Sequence, residues 1–175
     1  MGTLHITELP PLPKREPDSH KGTYGRILLV AGSPAMPGAA VLAARAALRS
    51  GTGLVTVAFA GSLAATFTAA VPEAIQLPLP EPGAPEHDAE IDHLIGDDFR
   101  ERFDAIGVGP GLGTSTASRK VLARILEVYD GPQVLDADAL NLVAEGLPVS
   151  PSEKRIWTPH PGEFQRLTGT TPSGD

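Results

Sequence analysis

The sequence predicts an α/β fold with a mainly parallel central sheet and helices on both faces. Two features carry that prediction. Short continuous apolar runs, the pattern of strands buried on both faces, recur along the chain. Between them lie stretches of helical spacing or helix-forming composition, so strand and helix alternate, which implies right-handed crossovers and parallel pairing. Composition agrees with a globular fold. The chain has 175 residues, of which 41% are hydrophobic and 20% charged, and one domain of that length buries roughly two thirds of its unfolded surface. Gly 19 and Pro 18 together make about a fifth of the chain, below the roughly 25–30% that signals disorder.

Residues 1–20 carry prolines at 10, 11, 13 and 17 among mixed charges and read as an extended arm, with residues 21–175 as the domain. Ile27-Leu28-Leu29-Val30-Ala31 is a first strand. Residues 38–49 are rich in alanine and leucine and stop at Gly51, a glycine C-cap. Leu54-Val55-Thr56-Val57-Ala58-Phe59 is a second strand, and Ser62 offers an N-cap for a helix to about Ala70. Residues 74–79 form a weaker strand, residues 80–90 a polar proline-rich loop, and residues 91–103 one helix. A strand over 104–108 leads into Gly109-Pro110-Gly111-Leu112-Gly113. In residues 115–129 the apolar positions 121, 122, 125, 126 and 129 have helical spacing. Residues 133–136 and 155–158 read as strands, followed by helices over 137–145 and from Gly162.

Several classes are excluded. No apolar run approaches the roughly 18 residues of a membrane span. The first residues show no basic start with an apolar stretch, so no signal peptide is visible. Cys 0 removes disulfides, zinc thiolates and cysteine nucleophiles. A net charge of -7 argues against binding nucleic-acid phosphates. These features imply a soluble, cytoplasmic protein without nucleic-acid or membrane partners.

In open parallel sheets ligands bind beyond the carboxyl ends of the strands. Four segments fall there: residues 32–38, 109–113, 136–138 and 158–163. Residues 32–38 join strand to helix without the Gly-Lys-Ser/Thr ending of a P-loop, which is as much a tight turn as an anion site. Gly107, Gly109, Gly111 and Gly113 do not fit Gly-x-Gly-x-x-Gly, yet let a flat ligand or phosphate approach the backbone, with Thr114 and Ser115 offering hydroxyls or an N-cap. Asp136 and Asp138 could hold magnesium or a hydroxyl; equally, Asp138 could cap the next helix while Asn141, the only asparagine of the chain, bonds the loop. His160 lies between two prolines, either as an imidazole fixed at the rim beside Glu163 or with Glu163 as a capping-box residue. His87 and His93 stand among acidic residues without metal-ligand spacing and read as a solvated loop.

Seven segments together, His20-Lys21-Gly22-Thr23-Tyr24-Gly25, Ala31-Gly32-Ser33, Gly38-Ala39-Ala40, Gly51-Thr52-Gly53-Leu54-Val55 and the loops at 109–113, 136–141 and 158–163, closely resemble the ADP/ATP-dependent NAD(P)H-hydrate dehydratases. The resemblance runs from about His20 to Thr168 with the motifs in family order. It implies a three-layer α/β/α ribokinase-like fold and repair of hydrated NADH or NADPH. In that chemistry ADP or ATP phosphorylates the ring hydroxyl, with Mg2+, and phosphate is then eliminated. By the same resemblance Ala40, Gly111 or Gly113, and His160 line the dinucleotide site. Residues 160–163 take the place of the superfamily's Asn-x-x-Glu motif, whose glutamate, here Glu163, organises magnesium and phosphate; Asp136, Asp138 and Asn141 lie on the same rim.

Family members continue through a segment ending in Gly-x-Gly-Asp, whose aspartate is the base. Thr171-Pro172-Ser173-Gly174-Asp175 only superficially resembles it, so the chain reads as an amino-terminal portion truncated before that segment. Two alternatives remain at this point: a ribokinase-like small-molecule kinase and a non-catalytic nucleotide-binding module. Family members often form oligomers, and an exposed sheet edge would invite association into a homo-oligomer.

Overall fold

The computed structural model describes residues 14–172, apart from 82, 85, 86 and 97. The first part of the expected arm and the end of the Gly-Asp sequence at 173–175 lie outside the described residues. Residues 14–20 have no helix or strand, and Arg15 ties them down by donating to the Gly51 carbonyl at 2.8 Å and lying over the Tyr24 ring.

Six strands, β1 (Arg26–Val30), β2 (Leu54–Ala60), β3 (Ile75–Leu79), β4 (Ala105–Val108), β5 (Gln133–Leu135) and β6 (Arg155–Trp157), form one sheet in the order β3-β2-β1-β4-β5-β6. All pairings are parallel. The helices are α1 (Pro37–Arg49), α2 (Ala64–Ala70), α3 (His87–Leu94), α4 (Phe99–Arg102), α5 (Thr116–Val128), α6 (Asp138–Ala144) and α7 (Pro161–Thr168). The expected α/β alternation is therefore present, and the sheet is parallel throughout.

Local signals explain most boundaries. α1 ends in a Schellman arrangement, with Gly51 at φ 95 and the amides of Gly51 and Thr52 returning to the carbonyls of Leu48 and Ala47. Ser115 caps α5, its hydroxyl accepting from the Ser118 amide at 3.1 Å. Three expectations need correction. Ser62 does not cap α2; it sits in a short 3-10 turn, Gly61–Leu63, and its amide donates to the Glu81 carboxylate. The expected helix over 91–103 is two helices, α3 and α4, interrupted around Gly96; Ile95 and Phe99, on either side of the break, are both buried in the core. The supposed loop at 80–90 already begins α3 at His87.

Alternating side chains send the two faces of the sheet into different surroundings. Leu28, Val30, Ile106, Val108 and Leu135 pack against α3, α5 and α6 in the larger core. On the other face Val55, Val57 and Phe59 pack against α1 and α2. That second cover is partial. The row Val57, Leu29, Gly107, Val134 and Ile156 runs straight across the sheet in register, and its exposure climbs from 0% at Val57 to 38% at Val134 and 62% at Ile156.

Candidate functional site at the carboxyl rim of the sheet

The chain order reverses beside β1, which has β2 on one side and β4 on the other. In open parallel sheets that reversal is where a crevice forms beyond the strand ends. The loops after β1 and β4 flank it and are joined there, the Gly32 amide donating to the Pro110 carbonyl at 2.9 Å.

Glycines make this closeness possible. A Cβ on Gly109, at φ +128, would lie 1.8 Å from the Asp136 carbonyl oxygen. A Cβ on Gly111 would meet the Ala39 Cβ at 2.8 Å and the Met36 carbonyl at 2.9 Å. Both glycines therefore serve the packing of the rim loops on one another. Ala40 has 0% exposure and sits where Gly32 crosses α1, 3.0 Å from the Cβ position of that glycine. The Ala40 methyl supports the first loop from beneath. Gly111 is buried as well.

The remaining rim residues are held by separate sets of hydrogen bonds. Asp138 does not cap α6; Ala137 does, at φ 47, an unusual value for a residue with a side chain. The Asp138 carboxylate is thereby free to accept from the Gly113 amide at 2.8 Å and from Asn141 Nδ2 at 3.2 Å. Arg166 on α7 donates to Asn141 Oδ1 at 3.1 Å. The Thr158 hydroxyl donates to Asp136 Oδ1 at 2.8 Å. Hydrogen bonds thus tie the loop after β4 to α6 and α6 to the last turn of α7, and separately the end of β5 to the residue after β6.

His160 and Glu163 lie together at the start of α7. The Gly162 amide donates to His160 Nδ1 at 3.0 Å, and the His160 amide donates to Glu163 Oε2 at 3.0 Å. This is a capping box at the start of α7. Because Nδ1 accepts, the proton of the neutral ring sits on Nε2, which faces Glu163 Oε1 at 3.2 Å. The ring is held at both nitrogens yet its side chain is 63% exposed, whereas that of Glu163 is only 6% exposed. His160 consequently offers a ligand the face of a fixed ring.

Both Glu163 oxygens face His160, Oε2 accepting from its amide and Oε1 lying 3.2 Å from Nε2. Among the described residues no group of three or more His, Asp or Glu side chains gathers as a metal cage. Magnesium commonly takes one or two carboxylates and completes its shell with phosphate and water. Asp136 suits that role, because its Oδ2 has no hydrogen-bond partner among the described residues.

Two participants escape sequence reasoning. Arg166 carries only the signal of lying one turn beyond Glu163. His87 is not solvated: it is 7% exposed and lines a cavity of about 260 Å³ on the crevice.

Fold and rim together define a class, an α/β protein with its ligand site at the reversal of a parallel sheet. Comparison with known proteins makes the class particular. The profile of the NAD(P)H-hydrate dehydratase family matches residues 27–175, and the chain belongs to that family. It is 41% identical to a bifunctional NAD(P)H-hydrate repair enzyme of Moorella thermoacetica, over 91% of this chain and 30% of that protein. It is 40% identical to the ADP-dependent (S)-NAD(P)H-hydrate dehydratase of Lactiplantibacillus plantarum, over 89% of this chain and 53% of that one. The crystal structure of the ADP/ATP-dependent dehydratase of Bacillus subtilis, co-crystallised with ATP/Mg2+, superposes with TM-score 0.70 at 36% identity, over 90% of this chain and 52% of that chain. The fold is accordingly ribokinase-like, and the chain spans about a third to half of the length of these relatives. Among the described residues no helix is long and apolar enough to cross a membrane.

Proposed function

We propose that this chain forms the substrate-facing part of an ADP- or ATP-dependent NAD(P)H-hydrate dehydratase. The observation that carries the reading is the hydrogen-bonded rim at the sheet reversal, built from the segments on which the family resemblance rests. Gly113 and His160 face the hydrated NADH or NADPH, His160 through its ring face. Ala40 and Gly111 set the loops beneath, Glu163 locks His160, and Asp138 with Asn141 fixes the Gly113 turn. Asp136 is the carboxylate available to Mg2+ accompanying the nucleotide phosphates; a bound ion would supply charge neutralisation for phosphoryl transfer. In the reaction the ring hydroxyl takes a phosphoryl group from ADP, leaving AMP, or from ATP, leaving ADP. Loss of phosphate and of the adjacent ring proton then restores the double bond.

The base for the attacking hydroxyl belongs, on the family resemblance, to a Gly-x-Gly-Asp segment outside residues 21–175. The exposed end of the Val57-to-Ile156 row supports a further layer over that face, either such a segment or a second copy in a homo-oligomer. We read the protein as cytoplasmic and without nucleic-acid partners, supported by its net charge of -7. The test is recovery of NADPH absorbance from hydrated NADPH with ADP and magnesium. A chain extended through Gly-x-Gly-Asp recovers it and the 175-residue chain does not. Comparable recovery by the shorter chain overturns the division of labour, and no recovery by the extended chain overturns the dehydratase reading.

A further inference from the structure

A cavity of about 260 Å³ opens on the crevice between the ends of β1, β2 and β3 and the start of α5. Phe59, Leu79, Leu112 and Val121 give it apolar walls, and among the described residues no carboxylate, lysine or arginine lines it. Ser33, Ser115 and Ser118 bring hydroxyls, but that of Ser118 is already committed to the Leu112 carbonyl at 3.0 Å and to Ser115 at 2.9 Å. His87 is the exception. It is 7% exposed, it lines both this cavity and a neighbouring cleft with Thr116 and Ala117, and its Nδ1 lies 3.2 Å from Asp88 Oδ1.

That contact fixes the chemistry of the other nitrogen. An ionised carboxylate only accepts, so Nδ1 carries the proton and Nε2 of the neutral ring is a bare acceptor. Nε2 has no hydrogen-bond partner among the described residues. Among the described residues no buried side-chain nitrogen or oxygen lacks a partner, so Nε2 is open to an incoming group, and an acceptor among largely apolar walls suits one that brings its own donor.

We infer that the His87 cavity receives one uncharged heterocycle of the dinucleotide, with an N–H or O–H of that ring system donating to His87 Nε2. The inference rests on the dehydratase reading. Two rings of such a ligand fit the chemistry: the reduced or hydrated nicotinamide with its carboxamide, and the adenine with its amino group. His87 is in either case a specificity residue for the ring, distinct in place from His160 at the end of β6.

The experiment is calorimetric titration of the protein, as its gene encodes it in full, with NADPH, reduced nicotinamide mononucleotide and AMP. His87→Leu keeps the volume and removes the acceptor, and His87→Gln returns one. NADPH affinity is expected to fall roughly five- to thirtyfold in His87→Leu and to recover in part in His87→Gln. A matching loss with reduced nicotinamide mononucleotide assigns the nicotinamide ring, and a matching loss with AMP assigns the adenine. Should His87→Leu fail to fold, Ala117→Phe fills the cavity from α5 and is expected to weaken NADPH comparably. Equal NADPH affinity in wild type and the folded variants overturns the inference and leaves the dehydratase reading standing. Absence of NADPH binding by wild type overturns both.

Discussion

The two ends of the sheet handle charge in opposite ways. At the amino ends of the strands, cations meet carboxylates directly. Asp104, before β4, accepts from the Arg26 amide at 2.7 Å and from its guanidinium at 3.2 Å, and those bonds hold the Asp104 carboxyl below the usual range. Arg100 does the same for Asp130, before β5. Arg155, at the start of β6, donates to Gln133 and to the Ser150 carbonyl, and its burial lowers its pKa. At the carboxyl rim the carboxylates of Asp136, Asp138 and Glu163 are held by a hydroxyl, by amides and by an imidazole instead. The difference separates two uses of polar groups. Ion pairs at the amino end close on each other, whereas the rim orders its carboxylates mainly through neutral donors, and Asp136 Oδ2 has no hydrogen-bond partner among the described residues.

The largest effect expected from breaking this contrast lies at the rim. Gly109→Ala would drive a methyl into the Asp136 carbonyl and strain the backbone at a φ that alanine avoids. It should cost about 3 kcal/mol or more, in the range of severe substitutions, read as a lowered denaturant midpoint. A loss below about 1 kcal/mol would mean the loops are not bound as tightly as their geometry requires.

A smaller effect belongs to the amino end. Asp104 is exposed and its pairing with Arg26 is screened, so Asp104→Asn should lower the melting temperature only slightly. The pH dependence is the sharper readout. Because the folded carboxyl lies below its unfolded value, its contribution is present above roughly pH 4, the unfolded pKa, and is lost as pH falls through the folded one. Wild type and Asp104→Asn should therefore differ near neutrality and converge in acid. A difference that persists at low pH would show that the pair is not its source.

The sequence shows the strands clearly because a strand buried on both faces leaves an unbroken apolar run, as at Ile27 to Ala31 and Leu54 to Phe59. It shows the rim for the same reason, since each loop follows the end of such a run. What it hides is decided by contacts between distant segments. The break at Gly96 is one such case, since apolar residues at 91, 95 and 99 have the spacing of one continuous helix. His87 stands among acidic neighbours and is buried only because α3 lies against α5. The place of Ala40 beneath Gly32 likewise depends on how the first loop crosses α1.

The central claim is that His160 presents a fixed ring face to the dinucleotide, and one titration tests it. NADPH, standing in for its hydrate, is titrated into wild type, His160→Ala and His160→Asn, each as the gene encodes it in full. His160→Ala also loses the cap of α7, about 1 kcal/mol of stability; asparagine keeps a capping acceptor and removes the ring, which isolates the contact. Stacking on a flat ring is worth about 1–3 kcal/mol, so both variants should bind roughly tenfold or more weakly. Dissociation constants equal to that of wild type in both variants would remove His160 from the site and contradict the account.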